Sequence, residues 1–451
     1  MNIIIVGGGK VGKALTEQLN EEGNSITIID IVPEKVEYIS NRYDVMGIVG
    51  NGATHEIQQQ AGIVTADLLI AVTASDELNL LCCLIAKKAG NCKTIARVRN
   101  PEYNSEVEYF KEMLGIAMLI NPEYASATEI SRVLRFPSAI KIDTFAKGKI
   151  ELLKFRLLEN SPLIHHSVKE IATDFHCDVL VCTIERDRQA FIANGNFIFE
   201  KDDIISIIAT PKNASYFFKK IKIKTQQVNN AMIIGGGSIA YYLSKILLKS
   251  GISVKIIEKN EKRCEELSIL LPEATIIHGD ASDQEILMEE GLEKAGAFVA
   301  LTNMDEENIL FSLFAKSKMS GKLVTKINRT DFDEVIQSMN LDSIVNPKSL
   351  TAEYIALFVR AMKNSMGSNM ETLYTIIKGK VEASEFKIRT NSRIAGVPLE
   401  QLKLKDNVLI AGIMRENNMI IPRGHDKIEI GDSVIVVSTH LGLHDICDIL
   451  E

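Results

Sequence analysis

The chain is short of the features that mark several large classes of protein. It has seven cysteines in 451 residues (Cys82, Cys83, Cys92, Cys177, Cys182, Cys264 and Cys447), an odd number with no CxxC spacing. Neither a disulfide framework nor paired thiolate ligands is expected, and a reduced, cytoplasmic compartment fits best. Cys82 and Cys83 lie in Leu80-Leu81-Cys82-Cys83-Leu84-Ile85-Ala86 and read as small residues of a buried helix. No stretch approaches the ~18 continuous apolar residues of a membrane-spanning helix. Met1-Asn2 runs straight into a strand-like segment, so no secretory leader is expected. Positive charge is not in surplus: the net charge is −8, so no global basic face is offered to nucleic acid. The eight histidines form no convincing set, and His165-His166 falls in a polar loop. HExxH, GxSxG and a P-loop Lys-Ser/Thr are all missing. A dehydrogenase needs an acid or base beside the nicotinamide. None stands out, so no catalytic residue and no metal site are assigned, and the chain is not expected to be an enzyme.

What is present is said twice. Ile3-Ile4-Ile5-Val6-Gly7-Gly8-Gly9-Lys10-Val11-Gly12 returns as Met232-Ile233-Ile234-Gly235-Gly236-Gly237-Ser238-Ile239-Ala240, 228 positions on from Gly7 to Gly235. Asp30 returns as Glu258 at the same shift, and Gly50-Asn51-Gly52-Ala53 as Gly279-Asp280-Ala281-Ser282 at 229. Thr73-Ala74-Ser75-Asp76-Glu77-Leu78-Asn79 returns as Thr302-Asn303-Met304-Asp305-Glu306-Glu307-Asn308 at 229, and Asn121-Pro122 as Asn346-Pro347 at 225. Lys147-Gly148-Lys149 and Lys378-Gly379-Lys380 match as well. A period this long means duplicated domains and not a solenoid of short repeats.

Within each unit the pattern changes once. Residues 3–6, 26–29, 45–49, 68–72, 94–98 and 117–120 read as buried strands, alternating with helical segments at 11–22, 33–42, 55–61 and 77–89. Such alternation implies right-handed crossovers and a parallel sheet covered on both faces. A helix follows each Asn-Pro, at 123–135 (ended by Pro137) and 349–362; Ile130 and Leu134 share a face, so the first packs on something outside its own sheet. The remainder has β-like runs at 150–156, 179–184 and 204–209, with hairpin turns at Glu185-Arg186-Asp187-Arg188 and Arg415-Glu416-Asn417-Asn418. The expected fold is α/β: two Rossmann-like, doubly wound parallel sheets, each followed by a small α+β domain. The boundaries are 1–120, 121–138 (linking helix), 139–225, then 230–345, 346–365 (linking helix) and 372–451, with a polar connector at 222–230.

The glycine turns carry the chemistry. Gly7 permits the tight turn, Gly9 lets a pyrophosphate approach the backbone, and Gly12 lets helix and sheet pack closely. The N–H groups of the helix that begins at Lys10 and Val11 attract phosphate. Asp30, 18 residues beyond Gly12 at the tip of the second strand, accepts from a ribose diol and repels a 2′-phosphate, which favours NAD or an adenosine nucleotide over NADP. In the second copy Gly235 and Gly237 keep the turn, Ile239 opens the helix, Ala240 is a permitted third position and Glu258 can hold a ribose. Ser238 replaces Lys10, so one phosphate counter-charge is lost. Asn51, Gly52 and Ala53, and Asp280, Ala281 and Ser282, can accommodate an adenine at the sheet edge. Thr73, Ala74 and Asp76, with Thr302 in the second copy, flank the crevice; Thr73, Ser75 and Asp76 are equally good helix caps. Arg97 and Arg99 can neutralise phosphates, and their counterparts are Lys326 and Asn328. Glu123 reads first as a first-turn helix acid and second as a group that could hold a divalent cation on that phosphate.

In this order of motifs, followed by a small α+β domain and then repeated, the whole chain resembles the TrkA family of RCK/KTN regulatory subunits. The turn Gly279-Asp280-Ala281-Ser282-Asp283-Gln284-Glu285 and Leu301-Thr302-Asn303 are especially like it. The resemblance implies lobes that bind NAD(H), and ATP or ADP, without hydride chemistry. It implies homo-oligomers, a dimer or tetrameric ring, docked as peripheral subunits on the inner face of the membrane against a potassium-translocating subunit of the Trk or Ktr type. It carries the nucleotide role onto Gly7, Gly9, Gly12, Asp30, Asn51, Thr73, Asp76, Arg97 and Arg99, and onto Gly235, Gly237, Glu258, Asp280 and Thr302. Asn51 and Ala240 depart from the pattern, where an aspartate and a glycine are expected, and either can change the nucleotide preferred. The alternatives are a soluble NAD-dependent oxidoreductase and a regulator of another cation channel or exchanger.

Overall fold

The computed structural model describes the chain except residues 91, 102, 104–105, 136–138, 147–148, 160, 175–176, 188, 222–227, 330–335, 337–338, 340, 366–369, 378–379, 390–391, 417 and 444. Pro137, Arg188, Asn417, His176, His444, the Lys-Gly pairs at 147–148 and 378–379 and most of the 222–230 connector therefore lie outside the described residues.

Ile3-Ile4-Ile5-Val6 has no polar side to offer water, and all four residues are buried. They form most of the strand Asn2–Val6 at the centre of a six-stranded parallel sheet, paired with Ser25–Asp30 on one side and Leu68–Ala71 on the other. Met46–Val49 closes one edge; Lys93–Arg97 and Met118–Ile120 complete the other. The spatial order is third, second, first, fourth, fifth, sixth. This is the doubly wound order, and it opens a crevice at the carboxyl edge between the first and fourth strands. The helices Lys10–Glu21, Pro33–Tyr43, His55–Gln60 and Asp76–Ala89 make the crossovers. An additional helix, Val107–Leu114, was not named in the sequence reading. The second lobe repeats the order with Asn230–Ile234, Ser253–Glu258, Thr275–His278, Ala297–Ala300, Lys322–Lys326 and Ser343–Val345. Cys82 and Cys83 are buried in their helix, and among the described residues no disulfide forms.

The small domains are five-stranded antiparallel sheets of identical order. The outermost strands Ala139–Phe145 and Met370–Ile377 were not read from the sequence. The hairpin turns are tighter than the four residues expected: Arg186 pairs with Gln189 and Arg415 with Asn418, and Asp187 and Glu416 take positive φ of 50° and 45°. Arg186 and Arg415 are strand residues, each forked on a buried aspartate, Asp203 and Asp432, at 2.8 Å. One face of each sheet meets the other domain: Phe145, Ile150, Leu152 and Ile208 pack with Ile376, Val381, Ile435 and Val437.

The linking helices exchange lobes. Ala127, Ile130, Val133 and Leu134 of Pro122–Arg135 are buried in the core of the second lobe, against Leu243 and Leu247 of the helix Ser238–Lys249. Ala352, Ile355, Ala356, Val359 and Met362 of Pro347–Ser365 are buried in the core of the first, against Leu15 and Leu19. The partner outside its own sheet expected for Ile130 and Leu134 is thus the other half of the same chain. Arg360 adds an ion pair to Glu22 at 2.5 Å. Burying each apolar side chain contributes about 1.5–3 kcal/mol, so neither lobe is complete without the other unit's helix.

Candidate functional site

Both glycine turns lie at the carboxyl edge of their sheets. Gly7 and Gly235 have φ of +110° and +92°, which a side chain would resist. A Cβ on Gly12 would stand 1.8 Å from the Gly7 carbonyl oxygen, so helix and turn touch there. Over Gly9 and Gly237, by contrast, a Cβ would meet nothing within 4 Å. These two residues are the N-caps of Lys10–Glu21 and Ser238–Lys249, and no side chain caps either helix. The space above both cap residues is thus open, and an anion beside an uncapped helix N-terminus gains from the dipole and satisfies its first N–H groups. Val11 and Ile239 turn their side chains into the core, so they offer a ligand only backbone. A pyrophosphate fits this arrangement in both halves.

The strand-tip acids have a task the sequence did not reveal. Asp30 Oδ2 accepts from the Gly8 N–H at 2.6 Å and Oδ1 from the Val32 N–H at 2.9 Å. Glu258 repeats this with the N–H groups of Gly236 at 2.5 Å and Asn260 at 2.8 Å. Each acid holds the glycine turn against the second strand. A carboxylate has about four lone-pair sites, so acceptors remain for a ribose diol.

At the next loop Asn51 accepts from the Ala53 N–H at 3.0 Å, and the Gln58 amide donates to the Gly52 carbonyl. Asp280 accepts from Ser282 and pairs with Lys259 at 2.5 Å; the Lys259 hydrogen bond comes first among the causes that pull its carboxyl down to about 2. Ala281 is buried. These residues shape the turns at this end of the sheet edge.

Across the crevice Thr73 is held by Asn79, whose side-chain oxygen accepts from the Thr73 N–H and Oγ1, both at 2.8 Å, while its NH2 donates to the Arg97 carbonyl. Asn308 likewise accepts from the Thr302 N–H at 2.9 Å and donates to the Lys326 carbonyl at 3.0 Å, but the Thr302 hydroxyl donates to the Met304 carbonyl. The conserved spacing of these asparagines in the two copies was visible, but their bracing role was not. Ser75, not Thr73 or Asp76, caps the helix Asp76–Ala89. Asp76 accepts from the Arg99 and Asn100 N–H groups at 2.8 Å, so it fixes the loop after the fifth strand instead of facing the crevice. Arg97 donates to the Thr73 carbonyl and Arg99 to the Ala74 carbonyl, both at 2.5 Å. Their Nε atoms are buried without hydrogen-bond partners among the described residues. Burial holds the Arg97 guanidinium below its ordinary value, and the nearby Glu123 and Asp76 charges oppose that. Burial raises the Glu123 carboxyl, with Arg99 and Arg97 opposing.

Glu123 also lies in the field of Lys326 from the second lobe, and Asn121 donates to the Tyr242 hydroxyl at 3.1 Å. The two clefts therefore meet through the N-termini of the linking helices. Lys348, which stands in the repeat where Glu123 stands, was not singled out from the sequence; its register opposite an acid was the available signal.

A duplicated chain of two doubly wound lobes, each followed by a small antiparallel α+β domain, with an open glycine turn in each lobe, belongs to the class of tandem Rossmann-like folds. The TrkA-N domain model matches residues 3–122 and 231–347, and the TrkA-C domain model matches 152–222 and 383–451. The chain belongs to the TrkA family. It is 32% identical over 446 residues to the Trk system potassium uptake protein TrkA homolog 1 of Methanosarcina mazei, covering 97% of each chain. It is 33% identical over 436 residues to the TrkA homolog of Archaeoglobus fulgidus, again covering 97% of each. Among solved structures it resembles the GsuK channel bound to NAD, with a TM-score of 0.64 at 14% identity, covering 97% of this chain and 76% of that one. GsuK bound to ADP matches with a TM-score of 0.51 at 13% identity, over 81% and 69%. At such identity the likeness to GsuK is one of fold.

Proposed function

We propose that this chain is a nucleotide-sensing regulatory subunit of a potassium uptake system. It binds NAD(H), and ATP or ADP, at the two glycine turns, and it gates a membrane potassium-translocating subunit of the Trk or Ktr type from the cytoplasmic face. Gly7, Gly9, Lys10, Val11, Gly12, Asp30, Asn51, Gly52, Thr73, Ala74, Arg97 and Arg99 serve the first cleft, with Asp76 positioning Arg99. Gly235, Gly237, Ser238, Ile239, Glu258, Asp280, Ala281 and Thr302 serve the second. The observation that carries the reading is the pair of uncapped helix N-termini facing open space above Gly9 and Gly237. The names of the relatives supply the potassium-uptake setting, and no helix among the described residues is long and apolar enough to cross a membrane itself.

The chain's own residues bind and orient the nucleotide; hydride chemistry forms no part of the reading. The exchanged linking helices couple the clefts, because their first turns border the phosphate ends while their bodies fill the opposite lobe's core. A nucleotide favours one arrangement only through its differential affinity for the two, and a ring of such chains, a dimer or tetramer of copies, passes the change to the membrane subunit. The test is rubidium flux into vesicles containing the membrane subunit, with and without this chain. The expected result is a flux that NADH and ATP alter only when the chain is present. A flux indifferent to the chain in all nucleotide states refutes the reading.

A further inference from the structure

A hydrogen bond between the lobes falls on one side of the repeat and not on the other. Tyr242 lies one turn into the helix Ser238–Lys249, which begins at the second glycine turn. Its ring is buried in the core of the second lobe and meets the Tyr124 ring edge-on, with centroids 5.5 Å apart. The Asn121 side-chain amine donates to the Tyr242 hydroxyl at 3.1 Å and to the Arg99 carbonyl at 3.4 Å. The Asn121 side-chain oxygen accepts from the Tyr124 N–H at 2.9 Å, which fixes the amide at the start of the first linking helix. Arg99 belongs to the first cleft: Asp76 holds its N–H and that of Asn100, and its guanidinium reaches the Ala74 carbonyl. An unbroken chain of hydrogen bonds thus runs from the phosphate helix of the second cleft to the wall of the first. The repeat breaks this chain on the other side. Ala14 stands where Tyr242 stands, at the same shift as the glycines, and has no hydroxyl. The Asn346 side-chain oxygen still accepts from N–H groups of its helix, those of Lys348 and Ser349 at 3.0 and 3.1 Å. The loop carbonyl of Asn328, the counterpart of Arg99, accepts from the Lys348 ammonium at 2.8 Å instead.

We infer that Tyr242 is a positioning residue that passes nucleotide occupancy of the second cleft to the first. A phosphate at the turn of Gly235 and Gly237 fixes the helix Ser238–Lys249, and the Tyr242 hydroxyl, through Asn121, fixes the Arg99 loop. This rests on the reading of both clefts as nucleotide sites. Hydrogen bonds weaken steeply when bent, so the loop follows the helix more closely by this route than by apolar packing, which tolerates sliding. Coupling of affinities between two sites is reciprocal, but the loop that responds by this route is the first lobe's. The mirrored loop at Asn328 and Arg329 has no hydroxyl at Ala14 to carry the link to the helix Lys10–Glu21.

The experiment is amide hydrogen exchange on the full chain carrying Gly9→Ala, which blocks the first turn, with and without saturating NADH. NADH is expected to slow exchange at residues 235–241, and also at Arg99 and Asn100 in the cleft that holds no ligand. Tyr242→Phe keeps the buried ring and removes the hydroxyl. The slowing at 235–241 should then persist within about two-fold, while that at Arg99 and Asn100 falls about five-fold, the loss of one neutral hydrogen bond. Asn121→Ser keeps a helix cap but is too short to reach Tyr242, and should reproduce the loss. In the full chain carrying Gly237→Ala instead, NADH should leave exchange at Asn328 and Arg329 unchanged. Remote slowing that survives both Tyr242→Phe and Asn121→Ser, or that is missing from the Gly9→Ala chain while residues 235–241 are slowed, overturns the relay and leaves the clefts standing. Equal slowing of the mirrored loop in the Gly237→Ala chain overturns it too. If Tyr242→Phe loses the slowing at 235–241 as well and melts at a lower temperature, Tyr242 is a structural residue and the relay is wrong. If NADH slows nothing at 235–241 in the Gly9→Ala chain, the nucleotide reading of the second cleft is itself wrong.

Discussion

Gly9 and Gly12 sit three residues apart in one turn, yet alanine should affect them in opposite ways. At Gly9 a Cβ meets nothing within 4 Å, and the backbone is extended, with φ −73° and ψ −171°. Alanine is sterically free there, and the expected cost in the nucleotide-free protein is that of a poorer N-cap, at most about 1 kcal/mol. The added methyl nevertheless fills the space through which a pyrophosphate reaches the helix N–H groups. Losing two such charge-assisted hydrogen bonds, at about 1.5–3 kcal/mol each, weakens binding by roughly a hundred-fold or more. At Gly12 a Cβ would stand 1.8 Å from the Gly7 carbonyl oxygen and 3.0 Å from its carbon. That neighbour is backbone, so helix and turn must separate, at the cost of an overpacked core, about 1–3 kcal/mol. Denaturant unfolding and NADH titration on both variants separate the effects. Gly9→Ala should unfold almost as the parent does and bind poorly; Gly12→Ala should be destabilised first. A Gly9→Ala protein that binds NADH with parental affinity would show that no phosphate passes over this residue.

Other consequences can be checked in the same way. Asp30→Ala removes the acceptor for the Gly8 and Val32 N–H groups as well as any ribose contact, so nucleotide binding should fall at least ten-fold and potassium-transport control should be blunted. Ile355→Ala truncates a fully buried side chain of the second linking helix inside the first lobe; it should cost about 2–5 kcal/mol of stability, read by denaturant unfolding, and an unchanged midpoint would refute the helix exchange. Glu129, buried and with Asp143 nearby, has its carboxyl raised to about 7. A raised acid binds its proton more tightly when folded, so stability should fall as pH rises from about 4.5 to 7, by roughly 3 kcal/mol at most. Glu129→Gln should flatten that slope, and parallel pH profiles of parent and variant would contradict the assignment.

Much of this molecule was legible in the linear sequence because the signals are local. Four successive apolar residues before a glycine turn, an acid at the next strand tip and a helix after each Asn-Pro depend on neighbours within about twenty positions. The duplication made each of them readable twice, and the six strands of the first lobe and its four crossover helices followed from the alternation of apolar runs and helical segments. Signals without a local period were lost: the strands Ala139–Phe145 and Met370–Ile377, and the short helix Val107–Leu114. The candidate cleft divides along the same line. Its glycines and acids were nameable from spacing, whereas the bracing of Thr73 by Asn79, the turning of Asp76 to the Arg99 loop and the hold of Asp30 on Gly8 are hydrogen bonds of orientation, which residue types do not specify.

By itself the sequence determined that one α/β unit had been doubled and that each copy keeps a glycine turn between its first strand and first helix, since strand burial and turn chemistry are properties of short segments. Only the tertiary structure decided that the linking helices trade lobes and bring Arg360 to Glu22 across more than three hundred residues. The apolar stripe on each helix demands burial but carries no address, and the partner is set by which core is left open when both halves have folded.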